Sequence, residues 1–237
     1  MMKIKVCADA VEAAQEAAAW IAAEANSAIA ARGRFVLAVS GRRTPWLMMR
    51  ALALQKIDWK QVHLFQVDER IAPANNSERN LLHLRECLVE HGPLAPEQLH
   101  AMPVESPDLD AAAAQYSSAL REVAGSPPVL DVVHLGLGED GHTASLVPGD
   151  PVLDVADADV ALTGTYQGRR RMTLTYPVIG RTRRVLWLVT GSEKAEMLVR
   201  LYAGDDSIPA GRVRRDGALL LADRASAARL PALGNRE

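Results

Sequence analysis

Short, mostly apolar runs alternate along the chain with longer segments in which apolar residues are spaced among polar ones. Phe35–Ser40, Val62–Val67, Leu130–Leu135 and Val185–Val189 are too short for helices, and their near-continuous apolar character fits strands buried on both faces. Cys7 falls in a further strand near the start. The Ala-rich segment 9–31 opens on Asp9, whose side chain suits an N-cap, and reads as a long helix. Pro45 suits the first position of the next helix, where a missing N–H has no partner to lose. Residues 78–91 and 109–123 read as helices, and another follows Lys194. Strands alternating with helices predict an α/β fold, a mostly parallel sheet with helices on both faces in the manner of a Rossmann-like open sheet. Pro-containing stretches near 103–107 and 125–128 read as loops. No repeat, low-complexity tract or linker divides the chain, so residues 1–237 are expected to form a single domain.

Composition narrows the functions. With 237 residues, 49% of them apolar, the chain can bury a large core. A net charge of -2 gives no general pull towards nucleic acid or an anionic membrane, and neither is expected as a partner. An anionic ligand would need locally clustered Arg and Lys. Cys7 and Cys87 have no metal-ligand spacing and read as buried free thiols. The opening Met1-Met2-Lys3-Ile4-Lys5-Val6 is too soon charged for a signal peptide, and no segment is apolar enough to span a bilayer, so a cytoplasmic location is expected.

Four polar clusters share one placement. Ser40-Gly41, Asp68-Glu69-Arg70, Gly138 to His142, and Gly191 to Lys194 each follow the carboxyl end of a predicted strand. In open α/β sheets that edge holds the ligand crevice. Gly136-x-Gly138-x-x-Gly141 matches a dinucleotide fingerprint in its letters only. Pro148 arrives seven residues after Gly141, too soon for the crossover helix, and Glu139 and Asp140 would repel a pyrophosphate. No nucleotide cofactor is expected. Asp68, Glu69, Asp140 and His142 lack ligand spacing, so no metal is expected either.

The segment from Leu135 through Gly138, Asp140, Gly141, His142, Ala144 and Ser145 to Pro148-Gly149 resembles the 6-phosphogluconolactonase family, whose motif runs close to L-G-x-G-x-D-G-H-x-A-S-L-F-P-G. Other segments agree in order. Ser40-Gly41 with Thr44-Pro45 resembles the family's Ser-Gly-Gly-x-Thr-Pro loop, and Val67-Asp68-Glu69-Arg70 its V-D-E-R. Asn80 sits where the family has an Asn. Arg170-Arg171-Met172-Thr173-Leu174-Thr175 resembles R-R-I-T-L-T, and Val189-Thr190-Gly191 with Lys194-Ala195 resembles V-T-G-x-x-K-A. The likeness spans roughly residues 35 to 220. The chain departs from it at Arg42, which replaces the loop's second Gly, and at Val147, which replaces Phe.

The resemblance implies hydrolysis of 6-phosphogluconolactone, a cyclic ester. That reaction needs an activated water, a stabilised oxyanion and a grip on the phosphate. His142 is the expected general base, since imidazole titrates near neutral pH. Asp140 and Glu139 are both candidates to fix its tautomer, and Asp140 is carried forward with it. Ser40, Gly41, Thr44, Asp68, Arg70 and Lys194 are expected to bind substrate. Arg170 is favoured among Arg169, Arg170 and Arg171. His63, His83, His91, His100 and His134 lie outside Gly-rich strand-end loops and are set aside. The rival reading is a glucosamine-6-phosphate isomerase, which resembles this chain through the D-G-H run but carries a Glu five residues after the His. Here that position is Val147, which has no proton to transfer.

Overall fold

The computed structural model describes residues 2–41 and 43–231. In chain order the strands are β1 (Lys3–Cys7), β2 (Phe35–Val39), β3 (Val62–Gln66), β4 (Asp68–Arg70), β5 (Leu99–His100), β6 (Val132–Leu135), β7 (Val160–Leu162), β8 (Arg171–Leu174), β9 (Arg184–Val189) and β10 (Ala218–Asp223). The helices are α1 (Ala10–Arg32), α2 (Arg43–Ala53), α3 (Asn80–Leu84), α4 (Leu109–Ala124), α5 (Tyr176–Arg181) and α6 (Ala195–Ala203). Seven strands form a parallel sheet in the order β1-β10-β9-β6-β2-β3-β5. The run from β5 to β10 has the doubly wound arrangement, with its switch point between β2 and β6. The predicted α/β fold is the one observed.

Alternation along the strands builds two apolar layers. Phe35, Leu37 and Val39 of β2, with Leu186 and Leu188 of β9, face Ala13, Ala17 and Ile21 of α1 and Met48 and Leu52 of α2. Val36 and Ala38, with Val185 and Trp187, face Leu120 of α4 and Leu198 of α6. Small side chains let α1 lie close on the sheet, and Asp9 caps it by accepting the N–H groups of Val11 and Glu12, each at 2.9 Å. Pro45 is the third residue of α2, within the first turn rather than at its first position. The expected helix 78–91 is divided into α3 and a turn of π-helix at Arg85–Glu90.

A feature the apolar pattern does not reveal is a second, three-stranded antiparallel sheet, β4-β8-β7. Asp68-Glu69-Arg70 is itself a strand of this sheet. It pairs with β8 in the register Asp68↔Thr173, Glu69↔Met172 and Arg70↔Arg171. This small sheet stands at the carboxyl edge of the large one and walls the cleft there.

Candidate active site

The segment after β6 forms a compact loop instead of entering a helix. The Gly138 N–H donates to the His142 carbonyl at 2.8 Å, the Gly141 N–H to the Gly138 carbonyl at 3.1 Å, and the Thr143 hydroxyl to the Gly136 carbonyl at 2.9 Å. Gly141 adopts φ 82°, which L side chains rarely take. A Cβ on Gly138 would lie 2.0 Å from His142 Nδ1, so only glycine lets the imidazole fold back over the loop. Ser145 then ties the loop to the small sheet, donating from its hydroxyl to Asp68 Oδ2 at 2.6 Å.

Asp140 Oδ1 accepts from both the His142 N–H (3.1 Å) and His142 Nδ1 (2.6 Å), and Oδ2 accepts from the Tyr166 hydroxyl at 2.9 Å. Burial alone would raise the Asp140 carboxyl. The hydrogen bond and charge of the His142 ring, the His142 N–H and the Tyr166 hydroxyl outweigh it and hold the group well below the usual carboxylate range. An ionised Asp140 makes Nδ1 the protonated nitrogen of a neutral imidazole and leaves Nε2 with a free lone pair. His142 is buried but lines a narrow recess of about 40 Å³ together with Ser40, Asp68, Arg70 and Arg171. Gly41, Arg70, Gly136, Leu137 and Arg171 continue from this recess into a cavity of about 870 Å³ over the carboxyl ends of the strands.

Arg70 is aimed by its neighbours. Its Nη1 donates to Asn80 Oδ1 at 2.6 Å and to the Glu78 carbonyl at 2.9 Å, while Asn80 Nδ2 donates to the Asp68 carbonyl at 3.0 Å. Glu69, fully buried, accepts from the N–H groups of Arg70, Asn80 and Leu81 and pairs with Arg79, which fastens the segment between β4 and α3. Residues directly paired across antiparallel strands share a face. The register Arg70↔Arg171 therefore puts both guanidinium groups at the recess. Arg170, the arginine favoured from sequence, takes the opposite parity. It is exposed, its Nε donates to the Thr163 carbonyl at 3.2 Å, and it lines neither space. Arg171 lines both spaces, and Arg169 lines the cavity in an ion pair with Glu78.

The opposite wall comes from β2, β9 and β10. Lys194 ends a 3-10 turn after β9; it is buried, with its ammonium 3.2 Å from Glu139 Oε1. Asp223, at the end of β10, accepts the Gly191 N–H and so fixes that turn. Thr44 and Thr190 share a hydrogen bond of 2.7 Å that joins the start of α2 to the end of β9. Ser40 is buried in the recess, and its Oγ has no partner among the described residues.

The model for the family of glucosamine-6-phosphate isomerases/6-phosphogluconolactonase matches residues 8–221. The chain belongs to this family. It is 40% identical over 220 residues to the 6-phosphogluconolactonase of Mycobacterium tuberculosis, covering 87% of this chain and 89% of that one. It is 35% identical over 213 residues to that of Nostoc sp., covering 86% and 88%. The crystal structure of 6-phosphogluconolactonase from Thermotoga maritima shares the fold, with a TM-score of 0.83 at 24% identity over 94% of this chain and 99% of that one.

Within this family frame, the structure brings together Ser40, Gly41, Thr44, Asp68, Arg70, Asp140, His142 and Lys194, all of which are around the cleft or the loop beneath it. Glu139 pairs with Lys194, which leaves Asp140 as the partner of His142. Sequence reasoning missed Tyr166 and set aside His83, which stacks on Trp46 at 4.8 Å between ring centroids and lines the cavity. Arg42 lies outside the described residues. Among the described residues no three His, Cys, Asp or Glu side chains converge as a metal site.

Proposed function

We propose that the protein hydrolyses 6-phospho-D-glucono-1,5-lactone to 6-phosphogluconate, the ring-opening step of the oxidative pentose phosphate pathway. The observation that carries this reading is the hydrogen bond of Asp140 to His142, whose imidazole lines a recess with two arginines. His142 Nε2 takes a proton from water as the oxygen adds to the lactone C1. The resulting imidazolium is matched by the Asp140 carboxylate, and the tetrahedral oxyanion by the Arg70 and Arg171 guanidinium groups. When the C1–ring oxygen bond breaks, His142 returns its proton to the leaving alkoxide. Every group in this sequence belongs to the chain. The wider cavity takes the phosphate, with Lys194 as its cation and the start of α2 contributing N–H groups. Gly41 and Thr44 shape the same wall, and Ser40 lines the recess beside His142. Residues 1–237 act in this reading as one domain, with a small sugar-phosphate lactone and no nucleic acid as partner. No helix among the described residues is long and apolar enough to cross a membrane, and we read the cytoplasm as the place of action.

The family name also covers isomerases. Aldose–ketose isomerisation needs proton transfer at carbon and at the ring oxygen. Val147, five residues after His142, is buried and apolar. Incubating the protein separately with 6-phosphogluconolactone and with glucosamine 6-phosphate, without metal or nucleotide, separates the two. The expected result is rapid acid release from the first and no ammonia from the second. Ammonia release faster than lactone opening would replace this assignment with the isomerase.

A further inference from the structure

Residues 163–170 join β7 to β8 through a tight turn. The Tyr166 N–H donates to the Arg169 carbonyl at 2.9 Å and the Arg169 N–H to the Tyr166 carbonyl at 3.2 Å, with Gln167 (φ 52°) and Gly168 (φ 79°) both left-handed between them. Two such residues in succession are the signature of the hairpin turn whose twist matches its strands. The turn folds the Tyr166 ring back onto the loop that carries His142. The two rings meet edge to face, 5.3 Å between centroids at 67°, and the Arg171 guanidinium sits 5.0 Å over the Tyr166 ring. The ring is thus held by packing and by a cation, independently of its hydroxyl.

We infer that Tyr166 is a positioning residue for His142, acting through the second oxygen of Asp140. This rests on the reading of His142 as the base. Asp140 Oδ1 carries both bonds to His142, so rotation of the carboxylate about its Cβ–Cγ bond would swing the imidazole partner away. The Tyr166 hydroxyl, 2.9 Å from Oδ2, blocks that rotation. It also places a hydrogen bond on the carboxylate oxygen that faces away from the imidazole, so the charge of Asp140 is shared between Tyr166 and His142. Among the described residues, the other charged groups that line the recess are Asp68 and Arg70 on β4 and Arg171 on β8, and the adjoining cavity adds the Glu139–Lys194 pair, the Glu78–Arg169 pair, Glu193 and Asp223. Tyr166→Phe changes the charge of none of them and keeps the ring under Arg171.

The test is Tyr166→Phe with two readouts. One is the imidazole titration of His142 followed by NMR in the unligated protein. The other is the pH dependence of kcat with 6-phosphogluconolactone, corrected for spontaneous hydrolysis. The titration is expected to move up by roughly half a pH unit, which is under 1 kcal/mol at about 1.4 kcal/mol per unit. The acid limb of kcat should rise with it, kcat at its optimum should fall several-fold, and KM should stay unchanged. A purely structural Tyr166 would move neither pH readout. A His142 titration that overlays the wild type overturns the inference, whatever the kinetics. A titration that moves while the kinetic limb stays put upholds the control of His142 by Tyr166 and overturns His142 as the base.

Discussion

Asp140 binds His142 twice through one oxygen, at the backbone N–H (3.1 Å) and at ring Nδ1 (2.6 Å). The two residues are separated only by Gly141, so the bonds that orient the imidazole are made within a single turn. Long-range hydrogen bonds reach that unit from the Tyr166 hydroxyl, to Asp140 Oδ2, and from the Ala210 N–H, to the Gly141 carbonyl. The guanidinium and ammonium groups that line the cleft come from elsewhere, from β4, β8 and the turn after β9.

Gly138 is the residue on which this turn depends most sharply. A methyl at that position would approach His142 Nδ1 to 2.0 Å and Asp140 Oδ1 to 2.7 Å. Gly138→Ala is therefore expected to push the imidazole out of place and lower kcat by ~10²-fold, the usual consequence of misplacing a catalytic group by about an ångström. The close contacts fall on the His142 and Asp140 side chains and not on apolar core residues, so thermal unfolding should shift far less than for a core substitution. Wild-type kcat in this variant would show that the imidazole orientation is not limiting.

Lys194 and Arg70 should separate by substrate. Lys194 lines only the wide cavity, whereas Arg70 lines both that cavity and the recess beside His142. In the proposed reading, Lys194→Ala removes a charged hydrogen bond to the phosphate, worth about 1.5–3 kcal/mol. It should raise KM for the phosphorylated lactone roughly 10- to 100-fold and leave gluconolactone, which has no phosphate, nearly unaffected. Arg70→Ala should reduce turnover of both. Equal losses for Lys194→Ala on the two substrates would move the phosphate away from the turn after β9.

How much of this was legible in the sequence follows from periodicity. The parallel strands announce themselves as apolar runs, α1 announces itself through alanine and the Asp9 cap, and the Gly-rich ends of β2, β6 and β9 mark the cleft. The small antiparallel sheet does not announce itself. β4 and β7 are three residues each, shorter than any window that shows alternation. Strand parity decides which arginine faces the recess, and parity is set by the pairing of Arg70 with Arg171, a contact no local pattern contains. Hence the residue favoured from sequence, Arg170, lies outside both the recess and the cavity, and Arg171 lines them. Gln167-Gly168 did carry a turn signal, yet its consequence, a tyrosine laid against Asp140, depends on tertiary placement.

The interior holds a pH liability. His134, on β6, is fully buried, and neither ring nitrogen has a hydrogen-bond partner among the described residues. Burial pushes its imidazole down to about 3. The folded value lies below the unfolded one, so the unfolded chain takes up the proton first. The associated stability is intact above about pH 6.5 and is lost as the pH falls from there towards 3, at about 1.4 kcal/mol per unit. His134→Leu, which forfeits no hydrogen bond, should flatten the fall in urea-unfolding free energy between pH 6 and 5 by roughly 1 kcal/mol. Identical pH slopes for the two proteins would place the liability in other groups.

The account turns on His142 as the group that activates water, and turnover of 6-phosphogluconolactone by His142→Ala tests that most directly. After subtraction of spontaneous opening, kcat is predicted to fall by ~10²–10⁴-fold with the fold retained by circular dichroism. A correctly folded His142→Ala protein that opens the lactone at the wild-type rate would contradict it.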